Sequence, residues 1–367
     1  MKEKKRVLAA MSGGVDSSVT AALLMEQGYE VIGVTMRLSE ESREADDDRG
    51  CCSIKSVNDA QGVASILGIP HYVLDFRAEF EKNVVCNFLD EYAKGRTPNP
   101  CIECNRAMKF GALMQKAREL GADCVATGHY AQIIYNEQNN LYELRKGLDE
   151  KKDQSYVLYH LTQDTLAHFL LPLGGFTKPE VREMAEKYNL PVAHKAESQE
   201  ICFIPDDDHG RFIREHRPEC LVPGDVVDLS GRVLGKHKGL PLYTVGQRKG
   251  LGIAAPEPLY VVRLDTENNR VIVGGANDVF ASGLTAVRVT WTAEAPKEAF
   301  RCTAKVRYGR REGACTAEML TDGSLRVTFD EPQRAVTPGQ SVVLYDGDRV
   351  LGGGIIENTV PARRSDG

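Results

Sequence analysis

The chain has 367 residues, 42% hydrophobic and 27% charged, with 46 Lys and Arg against 52 Asp and Glu for a net charge of −6. That length exceeds what one hydrophobic core supports, so two or three domains of ordinary globular composition are expected. The acidic balance excludes a protein that coats nucleic acid indiscriminately, although it leaves room for a local basic face.

In chain order, RVLAAM reads as a strand, SSVTAALLMEQG as a helix, YEVIGVTM as a strand, VNDAQGVASILG as a helix and HYVLDF as a strand. KFGALMQKARELG then reads as a helix, DCVATGH as a strand, and KPEVREMAEKYN as the last clear helix. Strands and helices alternating at this spacing predict a doubly wound parallel sheet of the α/β class, with ligands at the carboxyl ends of its strands. Beyond about residue 206 the texture changes to Gly-, Pro- and Val-rich short strands such as PGDVVDLSGRVLG, NRVIVGG and SVVLYDGDRVLGGGII. The expected division is residues 1–205, then a small β-containing domain over 206–280, then a β-barrel or sandwich over 281–367. The start, MKEKKRVLAAM, has too short an apolar run for a secretory signal, and no run is long enough to cross a bilayer. A cytoplasmic protein without a membrane role is expected. Its ten cysteines should then be reduced, and clustered ones become candidates for catalysis or metal binding before disulfides.

MSGGVDSSV, residues 11–19, lies where the first strand turns into a helix. Gly13 and Gly14 let backbone amides approach a phosphate, and Ser12, Ser17 and Ser18 offer further donors. The loop lacks the lysine of a Walker A motif, and Asp16 would repel a bare triphosphate, which points to a bridging Mg²⁺. The plainer alternative is a tight strand-to-helix turn with a serine cap. In CIECN, Cys101 and Cys104 lie three apart, a spacing shared by zinc half-sites, redox couples and sulfur-handling centres, so the missing partner decides between them. Adjacent Cys51 and Cys52 are poorly spaced for one metal. Cys86 and Cys124 read as packed, and Cys220, Cys302 and Cys315 have no visible catalytic company.

SGGVDSS resembles the PP-loop of ATP pyrophosphatases, which split ATP into AMP and pyrophosphate to adenylate a substrate oxygen. GRTPNPCIECN with Lys109 and Phe110, ATGHYA (126–131), KKDQSYVLY (151–159), ICFIP (201–205), YTVGQRKGLGI (243–253), VRYGR (306–310) and TPGQSVVLYDGD with LGGGII follow. In that order, over about residues 6 to 357, they resemble the MnmA-type bacterial tRNA-specific 2-thiouridylases. The resemblance implies a PP-loop domain followed by two β-rich domains, and ATP-dependent conversion of the C2 oxygen of a tRNA wobble uridine to sulfur. By match it assigns ATP to Ala10, Met11, Ser12, Gly13, Gly14, Val15, Asp16, Ser17, Ser18, Met36 and Gly128. It assigns tRNA contacts to Asn99, Pro100, Cys101, His129, Lys152, Asp153, Gln154, Arg307, Tyr308 and Gln340.

The resemblance also supplies the partner for CIECN, namely Cys202, which in the family receives sulfur as a persulfide while the position of Cys104 helps to release it. The chemistry is coherent: a uracil C2 carbonyl is a poor electrophile until its oxygen is adenylated, after which a persulfide adds and a second thiolate breaks the sulfur–sulfur bond. A cysteine desulfurase or sulfur-relay protein is the implied donor, tRNA the implied nucleic acid, and DNA is not expected. Two departures stand out. Cys101 occupies a position where some members carry aspartate, and ESQE precedes Cys202 in place of the family's DSTG. Cys101, Cys104 and Cys202 could alternatively ligate a [4Fe–4S] cluster, as in other tRNA-thiolating enzymes.

Independent support for RNA comes from Arg232 to Lys249, which holds five Lys or Arg, one His and no acid, and from VRYGRR, where three arginines surround Tyr308. The plain reading of either stretch is a solvated polar face.

Overall fold

The structure, a computed structural model, describes residues 4–39, 54–196 and 201–362. Cys51, Cys52 and the ESQE segment lie outside the described residues. The chain divides into two compact units that do not follow chain order. One comprises Met1–Val85, Pro100–Asp207 and Asp348–Leu351, the other Cys86–Asn99, Asp208–Gly347 and Gly352–Gly367.

In the first unit, β1 (Arg6–Ala10), β2 (Glu30–Arg37), β3 (His71–Asp75), β4 (Cys124–Ala126) and β7 (Phe169–Leu170) form a sheet in the order β3-β2-β1-β4-β7. Every pairing in it is parallel. Val7, Leu8 and Ala9 of β1 are wholly buried, as the central strand of a sheet covered on both faces demands. Helix α1 (Val15–Glu26) buries Val19, Ala21, Leu23 and Leu24 toward that core, which also takes Val63 of the helix Ile54–Leu67 and Val181 of the helix Lys178–Lys187. Successive strands go to opposite sides of β1, so its carboxyl end is the switch point where such sheets bind ligands. The loop Met11–Gly14 starts there.

Two features of this unit were not foreseen. β5 (Ala131–Asn136) and β6 (Leu141–Lys146) form an antiparallel hairpin, turning through Asn140 with φ of +57°. KFGALMQKARELG is not one uniform helix either: Asn105–Ala112 is wound as a π-helix that passes into an α-helix at Leu113–Glu119.

The second unit takes the helix Cys86–Ala93 from earlier in the chain and adds the helix His209–His216, so helices do not end near residue 189 as expected. Asp208 caps it by accepting the Arg211 N–H at 2.7 Å. β8 (Gly224–Asp228), β9 (Val233–His237), β10 (Tyr260–Asp265) and β11 (Arg270–Gly274) then form a sheet in the order β10-β11-β8-β9 around Val226, Val261, Val271 and Val273. β12 (Phe280–Trp291), β13 (Phe300–Lys305), β14 (Gly313–Met319), β15 (Leu325–Arg334), β16 (Ser341–Asp346) and β17 (Arg349–Pro361) follow in the order β12-β15-β14-β13-β16-β17. Pairing of β12 with β17 closes them into a barrel. Closure leaves no unpaired edge, and Val327, Val342, Leu344 and Ile356 fill its interior with no exposure.

Candidate active site

The loop at the end of β1 is shaped by glycine and by its own serines. Gly13 has φ of +71°, and a Cβ there would lie 2.1 Å from the Ser56 carbonyl oxygen, so no other residue fits. α1 begins after Gly14 without a side-chain cap. Ser17 and Ser18 do not project their hydroxyls outward as the sequence suggested. Both donate back to the Gly14 carbonyl, at 3.1 and 2.9 Å, while the Ser17 oxygen accepts the Ser12 N–H at 3.1 Å. The Ser12 hydroxyl, although exposed, lies 3.3 Å from the Ser17 hydroxyl, so the backbone amides from Gly13 onward are the loop's main offering to an anion. Val15 is buried. The Met11 N–H donates to the Val34 carbonyl, and the Thr35 hydroxyl donates to the Met11 carbonyl at 2.8 Å, tying the loop to β2, whose half-buried Met36 lies one residue on. Ala10 ends β1 opposite Val34.

Asp16 already has a cation. The Lys178 ammonium donates to both its oxygens, at 2.7 and 2.8 Å, and the Tyr130 hydroxyl donates at 2.7 Å. Lys178 is the first residue of its helix and retains 9% of its side-chain exposure, against 32% for Asp16. A second lysine grips the loop from another direction: Lys195 donates to the Gly13 carbonyl at 3.1 Å and pairs with Asp59 at 2.6 Å. Across from the loop, a Cβ on Gly128 would lie 3.0 Å from the Ser17 nitrogen, so glycine permits the close approach of ATGHY. His129 beside it is buried; it shares a hydrogen bond with the Thr127 hydroxyl at 2.8 Å and lies 3.5 Å from the Lys109 ammonium. Burial, followed by Lys109 and His160, pushes its pKa well below the ordinary histidine value, so the ring is neutral.

Cys101 and Cys104 sit at i and i+3 on the short helix Pro100–Cys104, which places them on one face, with Cys101 exposed and Cys104 half-buried. The helix is anchored by buried Ile102 and by Asn105, whose amide donates to the Val157 carbonyl at 3.2 Å. Cys202 is half-buried in a turn between Ile201 and Phe203, and Phe203 packs edge-on against Phe80 at 5.7 Å. All three cysteines belong to the first unit. Among the described residues no three His, Cys, Asp or Glu side chains group closely enough to hold a single metal ion.

The pattern described as the tRNA methyl transferase HUP domain matches residues 5–206, its PRC-barrel domain residues 210–275, and the aminomethyltransferase beta-barrel domain residues 281–356. A tRNA-specific 2-thiouridylase MnmA of Carboxydothermus hydrogenoformans is 55% identical over 96% of this chain and 98% of its own length. Those of Acetivibrio thermocellus and Moorella thermoacetica are 53% and 55% identical over 96% of this chain and 99% of theirs. The chain belongs to the MnmA family.

The positions matched to tRNA in that family fall into two physical groups here. Arg307, half-buried, and Tyr308, exposed, lie in the loop joining β13 to β14, and Lys152 is half-buried in the turn after β6. Asp153, Gln154 and Gln340 are engaged within the protein. Asp153 is buried and accepts from the Gly147 and Ser155 amides and the Ser155 hydroxyl. Gln154 accepts the Tyr130 N–H at 3.0 Å. Gln340 is buried and donates to the carbonyls of Thr97 and Pro98, at 2.9 and 3.2 Å, immediately before Asn99 and Pro100. The basic stretch 232–249 is also partly spent: Arg232 pairs with Asp228, Lys236 with Asp225, and His237 is buried against the Asn269 carbonyl. Lys178, Lys195 and Tyr130 were not singled out from the sequence; only the TKPE capping signature at Thr177 marked where Lys178 would stand. No helix among the described residues is long and apolar enough to cross a membrane.

Proposed function

We propose that the protein is an ATP-dependent tRNA sulfurtransferase that replaces the C2 oxygen of the wobble uridine by sulfur. The observation that carries this reading is the fixed Lys178–Asp16–Tyr130 network on a glycine-shaped loop at a sheet switch point, in the same unit as Cys104 and Cys202. Loop amides, Ser12 and Gly128 hold the nucleotide phosphates, and Lys178 sits where charge grows on departing pyrophosphate. A divalent cation brought with ATP would find an oxygen donor in Asp16 and would supply further charge neutralisation.

The uridine O2 attacks the α-phosphorus and pyrophosphate leaves, which turns O2 into a leaving group. The terminal sulfur of a Cys202 persulfide adds to C2. Cys104 attacks the Cys202 sulfur, the sulfur–sulfur bond breaks with its electrons passing to the transferred sulfur, and AMP departs with the original oxygen. Cys104 and Cys202 are left as a disulfide, to be reduced before the next turnover. The persulfide is supplied by a cysteine desulfurase or relay protein. Lys152, Arg307 and Tyr308 engage tRNA directly, while Asp153, Gln154 and Gln340 shape the backbone beside Asn99, Pro100 and His129.

A methyl-transfer reading, suggested by the domain descriptions, leaves the PP-loop and both cysteines without work. A small-molecule adenylating ligase would need the loop but not the cysteines. The test is pyrophosphate release from ATP with and without unmodified tRNA. Release that depends on tRNA carrying an unthiolated wobble uridine is expected; release at full rate without tRNA overturns the reading.

A further inference from the structure

The sequence left Cys302 and Cys315 without company, and the structure gives them each other. They stand directly opposite on the antiparallel strands β13 and β14, thirteen positions apart in sequence, with sulfurs at 3.5 Å. Residues facing each other in such a ladder have Cα atoms about 4.5 to 5.5 Å apart, inside the range a disulfide spans, so a bond of about 2 Å needs only a small approach of the two sulfurs. Cys315 is wholly buried opposite Phe329, and Cys302 is only half-buried. The single proton of Cys315 has two acceptors in reach, the Cys302 sulfur and, at 3.6 Å, the Cys302 carbonyl. Donation to the sulfur lowers the Cys302 pKa against the opposing effect of its burial, and the neighbouring Arg301 guanidinium adds to the lowering. The half-buried member is therefore the one primed as nucleophile.

The pair lies in the stem of the hairpin whose loop carries Arg307, Tyr308, Arg310 and Arg311. Glu312 closes the same stem by accepting the Thr303 hydroxyl at 2.6 Å and facing Lys305 at 3.7 Å. We propose that Cys302 and Cys315 are a peroxide-sensitive dithiol whose disulfide staples this hairpin and fixes the arginine–tyrosine loop at its end. Cys302 attacks a peroxide oxygen, the O–O bond breaks, and Cys302 becomes a sulfenic acid as one water leaves. Cys315 then attacks the Cys302 sulfur, the S–O bond breaks, and a second water carries away the oxygen. Two thiols and one hydrogen peroxide give one disulfide and two waters. The consequence for tRNA rests on the role proposed above for Arg307 and Tyr308; the disulfide itself does not.

The test uses the full chain with Cys104→Ser and Cys202→Ser, so that the proposed catalytic pair cannot contribute. After hydrogen peroxide, non-reducing digestion and mass spectrometry should find the peptides of Cys302 and Cys315 linked. Tryptic cleavage at Arg307, Arg310 and Arg311 in the folded protein should slow by about threefold or more and recover with dithiothreitol. Cys302→Ala and Cys315→Ala, each added separately, should remove both effects, and Cys302→Ala keeps the test valid if the buried substitution unfolds the barrel. Both cysteines remaining alkylatable after peroxide, or linkage without slower cleavage, overturns the staple. A preorganised loop should also tighten tRNA binding by about threefold in the oxidised protein. Linkage and protection with unchanged tRNA affinity leave the staple standing and overturn the tRNA role of Arg307 and Tyr308.

Discussion

Charge is deployed differently in the PP-loop and in the basic stretch of the β-rich half. At the loop, Asp16 takes its cation from 162 positions away and the Gly13 carbonyl takes one from 182 positions away, both from lysines that are largely shielded from solvent. In the stretch 232–249, Arg232 pairs with an acid four positions off, with 76% of its side chain exposed, and Lys236 does much the same across one strand pair with 75% exposed. Exposed pairs of that kind are worth little and are easily exchanged for other partners. Density of basic residues in sequence is thus a poor guide to where charge does chemistry. Shielding and long-range fixation are better ones.

That contrast can be broken in graded steps. The largest loss is expected from Cys202→Ser and Cys104→Ser, which should abolish thiolation, read as 2-thiouridine by nucleoside analysis, while tRNA-dependent pyrophosphate release continues. Thiolation by either variant would remove the cysteines from the site. Next comes Lys178→Ala, expected to lower the rate of pyrophosphate release by about 10²- to 10³-fold with far less change in tRNA affinity, as loss of a preorganised charge predicts. Lys178→Arg should recover little, because its larger, forked head does not match a point charge held by two oxygens and a phenol. If Lys236→Ala were as damaging as Lys178→Ala, the distinction between fixed and exchangeable charge would fail.

The sequence made the sheet and its switch-point loop legible because both are written locally. An apolar strand, a glycine turn and a helix run consecutively from Arg6 to Glu26, and no distant residue is needed to read them. Lys178 and Lys195 escaped because nothing local sets them apart from other surface lysines; the fold alone brings them to Asp16 and Gly13. Ser17 and Ser18 were read as phosphate donors because their type allows it, but hydroxyls in a first helical turn can bond back to a carbonyl one turn earlier, and here they do. The helix His209–His216 was missed although Asp208 supplied a cap, since eight residues carry too short a periodicity to stand out. The burial of Asp153 and Gln340 was not legible, because burial cannot be read from a family match.

Two smaller effects sharpen the comparison. His160 is buried with neither ring nitrogen partnered, and burial, then Arg106, lowers its pKa to about 3. The unfolded chain therefore binds a proton that the folded chain refuses between the ordinary value near 6.5 and about 3. Stability contributed by this site is intact above that window and falls as pH drops through it, at up to about 1.4 kcal/mol per pH unit. His129 acts in the same direction. Urea midpoints measured from pH 7 to pH 5 should decline, and His160→Phe should flatten the slope; an unchanged slope would count against a buried neutral ring. The smallest change is expected from Arg307→Ala, which should weaken tRNA binding severalfold and reduce the salt dependence of log Kd by about one. Arg232→Ala should leave that slope alone.

Lys195 lies seven positions before Cys202 in the chain, and it holds both Asp59 and the Gly13 carbonyl. Covalent geometry allows seven residues to span no more than about 25 Å however they run. In the proposed mechanism, a sulfur loaded on Cys202 would therefore stay within a sphere of that radius around the ATP loop. Effective concentration within such a sphere is in the millimolar range. Uridine activation and sulfur delivery would then be kept in one neighbourhood by covalent chain length alone.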